Sequence, residues 1–134
     1  EDEARRDITD TLNIEVPEFL YLPGGMKYVS CEVAEHVGYA KIEYSYEQGY
    51  LYLEMSNSLS DMSQGNIKEN QENEDAAEEI ETLSGKMKFV IKNAEERKEL
   101  YTASWEYKNV SYVFGGEISR EELVEILKNI SFSM

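Results

Sequence analysis

Hydrophobic and polar residues alternate most regularly between Leu100 and Phe114, near the end of the chain. Every second residue of 101–107, Trp105 among them, falls on one face, and the same period returns over 110–114. A period of two is typical of β-strands. Lys108-Asn109, between the two segments, suits a tight turn because Asn tolerates left-handed backbone. The pattern predicts a β-hairpin whose second strand ends at Gly115-Gly116.

A helix is predicted directly after this hairpin. Ser119 and Glu122 have capping-box spacing, in which the serine hydroxyl accepts from the Glu122 N–H and the carboxylate bonds back. Apolar residues then recur at helical spacing, namely Leu123, Ile126, Leu127 and Ile130. One apolar stripe predicts an amphipathic helix. We expect Trp105, Tyr112 and this stripe to form the core, so the stretch Tyr101–Ile130 is predicted to be structural.

Alternation also predicts strands earlier in the chain. Residues 26–33 read as one strand, and 39–46 and 50–55 read as a hairpin with its turn at 47–49. Residues 83–91 resume the pattern, with Lys86, Lys88 and Lys92 on the opposite face. Because strands precede the helix instead of alternating with helices, the fold class is α+β. We predict an antiparallel β-sheet of about six or seven strands with a packed C-terminal helix.

The segments between these elements are less regular. Residues 1–13 are predicted to be a loosely docked N-terminal segment with a short helix. Residues 17–25 hold both prolines of the chain and read as an irregular crossing. Residues 57–81 form an acidic connection, with a helical turn or an extended edge over 76–80. At 134 residues the chain suits a single domain, 1–134.

The formal charge of −15 limits the partners of this surface. Nucleic acid and anionic membranes carry the same sign of charge and are poor partners, whereas cations are attracted. No run of residues approaches the ~20 apolar positions of a membrane span. The chain begins abruptly, without a starting Met, and we expect it to be cut from a longer precursor whose membrane anchor lies upstream.

Catalytic constellations are not evident in the sequence. Cys31 is the only cysteine, which excludes an intrachain disulfide, and His36 is the only histidine, with no Gly-x-Ser-x-Gly elbow to complete a triad. The acidic run 72–79 lacks the glycine of an EF-hand loop. We therefore predict no catalytic residues, no cofactor and no metal. Glycoside hydrolysis needs only two suitably placed carboxylates, and 28 acidic residues leave that hypothesis open.

Aromatic residues suggest one candidate binding surface. Aromatic side chains bind peptides, glycans or lipids in grooves, but they also stabilise sheets as cross-strand pairs without any ligand. Both explanations apply to the candidate set. Its members are Tyr44, Tyr46, Tyr50, Tyr52 and Trp105.

Residues 103–116, the Ser-x-x-Glu-Leu sequence that begins at Ser119, and Leu22-Pro23-Gly24-Gly25-Met26 together resemble a bacterial family. The family is the domain of unknown function numbered 4367. Met26 stands where an aromatic residue is usual in the family, and Gly24 stands where a charged residue is common. The family has no assigned catalytic residues, so the resemblance transfers none.

The resemblance implies a location and a class of protein. Similar domains lie outside the membrane in Gram-positive bacteria, as parts of single-span proteins or lipoproteins, some with anti-sigma-factor-like N-termini. The hypothesis is a non-catalytic, extracytoplasmic sensor or interaction domain in envelope or sporulation signalling, with a protein partner or small ligand. The alternative is a binding module for a small ligand, peptide or lipid, with a cavity lined by Tyr and Trp.

Overall fold

A large antiparallel sheet organises the chain. The computed structural model describes residues 2–22, 25–47, 49–57, 77–93 and 100–132. The helices are α1 (Asp2–Leu12) and α2 (Arg120–Lys128), with a short 3-10 helix at Glu35–Val37. The strands are β1 (Glu18–Phe19), β2 (Lys27–Ala34), β3 (Tyr39–Tyr46), β4 (Gly49–Asn57), β5 (Ala77–Thr82), β6 (Gly85–Asn93), β7 (Leu100–Tyr107), β8 (Val110–Glu117) and β9 (Ile130–Ser131).

The sheet has seven described strands in the order β2-β3-β4-β8-β7-β6-β5. Every pair is antiparallel. β1 and β9 form a separate two-stranded ladder. The predicted α+β class, with an antiparallel sheet and a packed C-terminal helix, is confirmed. One face of the sheet carries the core, and the alternation along β3 shows why: Ala40, Ile42, Tyr44 and Tyr46 are all buried.

The C-terminal hairpin forms as its sequence predicts. Lys108 and Asn109 have φ of 51° and 64°, the left-handed pair of a type I′ turn. Trp105 lies directly opposite Tyr112 on the core face. The prediction that Gly115-Gly116 end the second strand is wrong, because β8 runs on to Glu117. Gly116, with φ of 137°, lies opposite Leu51 of β4 and Tyr101 of β7, so both ladders continue through a backbone conformation that favours glycine.

Helix α2 packs as predicted, and the serine half of the predicted capping box forms. The Ser119 hydroxyl accepts from the Glu122 N–H at 3.2 Å, and Leu123, Ile126 and Leu127 are buried. The last residue of the predicted stripe, Ile130, lies beyond the helix in β9, where it is opposite Phe19 of β1. This pairing fastens residues 18–19, in the crossing 17–25, to the end of α2, and no local pattern predicts it.

The charged composition of residues 1–13 predicts loose docking, whereas the structure buries one side of helix α1. Helix α1 places Ile8 in the core, completely buried, with Ala4 and Leu12 on the same face also buried. The spacing i, i+4, i+8 turns these few apolar residues to one side, and burial of that side holds the helix on the fold.

Strand β5 forms the edge of the sheet opposite β2. The sequence allowed a helical turn or an extended edge over residues 76–80, and residues 77–80 form the extended edge. Residues 58–76 of the predicted acidic connection lie outside the described residues. Glu79 and Glu81 lie opposite Lys88 and Lys86 of β6, so much of the lysine face is matched by acidic neighbours. Glu78 of the same strand forms an ion pair with Arg120 and so links β5 to the start of α2.

Candidate functional site

The five predicted aromatic residues do not form one surface. Tyr44 and Trp105 are buried on the core face, at 2% and 6% exposure. Tyr46 is on the same face but at the end of β3. Tyr50 and Tyr52 project from β4 to the opposite face, where Tyr50 is 61% exposed. The alternation of side chains along a strand separates the two groups.

Trp105 is packed as a core residue. Its ring stacks on Tyr112 at 5.4 Å between centroids and meets Phe89 edge-on at 5.2 Å. Offset-stacked and edge-on arrangements are the favourable geometries of aromatic pairs. Its indole Nε1–H is buried and has no acceptor among the described residues. In the described structure Trp105 therefore contributes packing to the core, and its one polar atom adds no hydrogen bond.

Tyr112 ties the sheet to the segment that follows α1. Its hydroxyl donates to the Glu15 backbone carbonyl at 2.5 Å. The Glu15 carboxylate accepts from Lys108 at 3.1 Å, at the tip of the hairpin. Burial, followed by the negative charge of Glu15, raises the pKa of Tyr112 well above its ordinary value.

Replacing Tyr112 with phenylalanine is expected to cost about 1–2 kcal/mol near neutral pH, since it removes this hydrogen bond and leaves the carbonyl unpaired. Because folding raises the pKa of Tyr112, the neutral phenol contributes its full stabilisation below about pH 10, the pKa of tyrosine in the unfolded chain. This contribution is lost as pH rises toward the pKa of Tyr112 in the folded state. Urea titrations between about pH 8 and pH 11 should therefore show a shallower alkaline loss of stability for Tyr112→Phe than for the wild type or Tyr50→Phe. Equal slopes in all three proteins would contradict this role.

The outer-face tyrosines of β3 and β4 are engaged within the sheet. The Tyr39 hydroxyl donates to Glu54 at 2.7 Å, and the Lys41 ammonium lies 5.6 Å from the centre of the Tyr52 ring. Burial and then Glu54 raise the pKa of Tyr39 and of Tyr52. These contacts are those of a stabilised sheet face.

A cleft lies at the end of the sheet where four elements meet. It is about 550 Å³ in volume, within the size range of small-molecule sites. It is built from the end of β3, the start of β7, the end of β8 and the start of α2. Its lining residues are Tyr46, Glu47, Leu100, Glu117, Ile118, Ser119 and Glu122.

The cleft is electrically negative. Three of its seven described lining residues are glutamates, and lysine and arginine are missing from this described part of the lining. The Tyr21 hydroxyl donates to the Glu122 carboxylate at 3.2 Å, so a second phenol adjoins the cleft beside Tyr46. Burial raises the pKa of both phenols, and a neighbouring carboxylate adds to the effect in each case. The carboxylate is that of Glu122 for Tyr21 and that of Glu47 for Tyr46. Both tyrosines remain neutral, and the carboxylates set the potential.

Two of the glutamates have defined neighbours at the cleft. The Glu117 carboxylate lies over Gly49, where an added Cβ would come within 2.5 Å of its carboxyl carbon and make this flexible side chain turn aside. Glu122 is fixed through the Ser119 cap, and its carboxylate accepts from Tyr21 in place of the back-bond that the capping box predicts. The arrangement brings carboxylates, a phenol ring and the apolar Leu100 together, which suits an ammonium or guanidinium group on an apolar stem.

Of the aromatic residues that the sequence singled out, Tyr46 alone lines this cleft. Tyr21 and the three glutamates were not predicted as site residues. The sequence assigns Glu122 to a helix cap, and Tyr21 falls in the irregular crossing 17–25. The four residues come from three separate parts of the chain, and no local pattern marks their convergence.

The remaining candidate groups lie elsewhere. Burial, followed by Asp7 and Glu32, raises the pKa of the Cys31 thiol, which disfavours the reactive thiolate. His36 is exposed in the 3-10 helix. Within the described parts of the chain, no three His, Cys, Asp or Glu side chains are grouped to hold a metal ion. Residues 72–76 of the acidic run lie outside the described residues, whereas Glu78 and Glu79 belong to β5, where Glu78 pairs with Arg120 and Glu79 lies opposite Lys88.

The fold and the candidate site together define the class of protein. It is an antiparallel α+β domain with an acidic cleft at one end of its sheet. The chain belongs to the family described as domain of unknown function DUF4367, which it matches over residues 16–130. Comparison with curated proteins and with solved structures gives no significant match. The two described α-helices, of 11 and 9 residues, have neither the length nor the apolar character that crossing a membrane requires.

Proposed function

We propose that the chain is a non-catalytic, extracytoplasmic sensor or interaction domain that binds a cationic ligand in the cleft between β3, β7, β8 and α2. The ligand is a peptide segment or small molecule that bears ammonium or guanidinium groups on apolar stems. The observation that carries the proposal is the convergence of Glu47, Glu117 and Glu122 with Tyr46 around one cleft. Carboxylates lining a cleft concentrate cations and lower the cost of placing them beside low-dielectric walls.

The cellular setting of the proposal rests on family membership and on what the resemblance implies. We place the domain outside the membrane of a Gram-positive bacterium, anchored through a segment upstream of Glu1, in a lipoprotein or an anti-sigma-type signalling protein. In that setting the ligand or protein partner arrives from the cell exterior. A sensor of this kind needs selective binding, and it needs no reaction at the site.

Isothermal titration with acetyl-Arg-Lys-amide as the probe tests the cleft. We expect Glu122→Gln to weaken binding about tenfold, which corresponds to about 1.4 kcal/mol, because it removes the charged acceptor from the lining. Glu121→Gln is the matched control. It makes the same change of charge one residue earlier in α2, at an exposed position outside the lining, and should bind like the wild type.

Three results would contradict this assignment. Equal weakening by the two substitutions would mean that only net charge attracts the probe. Acetyl-Gln-Gln-amide binding as tightly as the basic peptide would show that charge is not recognised. Calcium chloride that displaces the peptide at equal ionic strength better than sodium chloride would identify a metal site instead.

A second candidate function is favoured by the same carboxylates. Glycoside hydrolysis requires two carboxyl groups beside the scissile bond, one as acid and one as nucleophile or base, and Glu117 and Glu122 line one cleft. In that case the protein would release nitrophenol from nitrophenyl glycosides, and Glu122→Gln would abolish the release. Turnover of this kind would replace the binding proposal.

A further inference from the structure

Two leucines are exposed beside the candidate site, in the segment that follows β1. Leu20 is 58% exposed and Leu22 is 48% exposed. Phe19 before them is buried, and Tyr21 between them is partly buried. Exposure therefore alternates along four residues, with the two leucines on the outward side. Apolar side chains exposed singly are ordinary on protein surfaces, whereas neighbouring ones beside a polar site point to an interaction.

The backbone that carries the two leucines is anchored to the fold. Directly before it, β1 pairs with β9. The Leu20 N–H then donates to the Asn129 carbonyl at the end of α2, at 3.0 Å, and the Tyr21 hydroxyl donates to the Glu122 carboxylate at 3.2 Å. Because these bonds already order the segment, a partner that covers the leucines has little backbone entropy to remove.

Tyr21 connects the leucines to the cleft. Its hydroxyl bonds to Glu122, which lines the cleft, and its phenol also acts electrostatically on the phenol of Tyr46, a second lining residue. Leu20 and Leu22 are the direct neighbours of Tyr21 in the chain. The backbone that carries them therefore lies one tyrosine side chain away from the cleft, and the apolar pair and the acidic cleft can be covered by one ligand.

We propose that this ligand is a peptide segment of a partner protein, in which a basic residue stands beside large aliphatic residues. The inference rests on the proposed function of the cleft, and it selects a peptide segment over a small free cation. The basic side chain enters among the cleft glutamates, and the aliphatic side chains next to it cover Leu20 and Leu22. Both parts of the ligand are needed, since charge recognises one surface and apolar burial the other.

Charge disfavours two other occupants of the leucine pair. An anionic membrane surface has the same sign of charge as the glutamates beside the leucines and is repelled by them. A second copy of the chain carries its own formal charge of −15, and pairing about a twofold axis would bring equivalent acidic groups together. A basic, aliphatic segment neutralises the cleft and covers the leucines in the same contact.

Isothermal titration with two peptides of equal charge tests the inference. Acetyl-Leu-Arg-Leu-amide is expected to bind about tenfold more tightly than acetyl-Gly-Arg-Gly-amide, because apolar surface on the leucines leaves water. Its heat-capacity change of binding should also be more negative. Leu20→Ser/Leu22→Ser should remove the difference between the two peptides. Val37→Ser/Leu83→Ser, at two other exposed apolar positions outside the cleft lining, is the matched control and should keep it.

The contrary results separate this inference from the cleft itself. Equal affinities for the two arginine peptides would overturn the inference and leave the cleft as a cation site. A difference that persists in Leu20→Ser/Leu22→Ser, or that the control variant also loses, would place the apolar contact elsewhere. Acetyl-Leu-Gln-Leu-amide binding as tightly as acetyl-Leu-Arg-Leu-amide would show that the leucines act without the cleft. Binding of neither arginine peptide would contradict the proposed function and the inference together.

Discussion

Trp105→Ala is expected to lower the free energy of unfolding by about 3–5 kcal/mol, the range for removing a large aromatic residue from a core. The indole stacks on Tyr112 and meets Phe89 edge-on, and it is 6% exposed. Alanine would leave a cavity between β6, β7 and β8 that neighbouring strands cannot close, since backbone hydrogen bonds fix their spacing. Urea denaturation followed by circular dichroism measures the change.

Two further variants separate packing from the polar atom of the indole. Trp105→Phe keeps most of the ring and removes the Nε1–H, which lacks an acceptor among the described residues. Loss of an unpaired buried donor offsets part of the lost packing, so this variant should be clearly more stable than Trp105→Ala. Tyr50→Ala, at an exposed position, should change stability by less than about 0.5 kcal/mol. Unchanged stability in Trp105→Ala would instead place Trp105 at a binding surface.

Gly116→Ala is the second large effect we expect, at about 2–6 kcal/mol. A φ of 137° is strained for any residue with a side chain, at about 1–3 kcal/mol. The added Cβ would also collide with the Tyr50 carbonyl oxygen and lie 3.1 Å from the Leu51 Cα. Overpacking of this kind adds about 1–3 kcal/mol, and the backbone of β4 cannot move away without breaking its pairing with β8.

Gly85→Ala is the matched control for this effect. Gly85 also has positive φ, 106°, but a Cβ there would meet nothing within 4 Å. It should therefore show the cost of the strained backbone without the collision. Thermal unfolding of the two variants measures the difference. Equal destabilisation would mean that a Cβ at Gly116 fits between β8 and β4. That result would contradict the close approach of Gly116 to the Tyr50 carbonyl oxygen.

Local signals account for the parts of the fold that the sequence predicted. The Lys108-Asn109 turn, the Ser119 cap and the stripe from Leu123 to Leu127 each depend on residues close together in the chain. Their geometry follows from backbone preference and periodicity, which tertiary packing here reinforces. The strand alternation is equally local, and in the structure it places Tyr44 and Tyr50 on opposite faces.

Long-range packing accounts for the parts that were missed. The ladder between β1 and β9 joins residues more than a hundred positions apart, and the docking of α1 depends on a core surface that its own charged sequence does not reveal. The cleft has the same origin. Tyr21, Glu47 and Glu117 carry no signal along the chain, and they come together at the candidate site only because four elements meet there.

Chemical-shift mapping on isotopically labelled protein, with acetyl-Arg-Lys-amide as the titrant, tests the central claim most directly. We predict that the largest changes fall on the backbone amides of Glu47, Ile118, Ser119 and Glu122, that they saturate, and that they shrink strongly in Glu122→Gln while persisting in Glu121→Gln. Changes spread evenly over the acidic surface, or centred on the outer face around Tyr50 and Tyr52, would contradict the assignment of the cleft as the binding site.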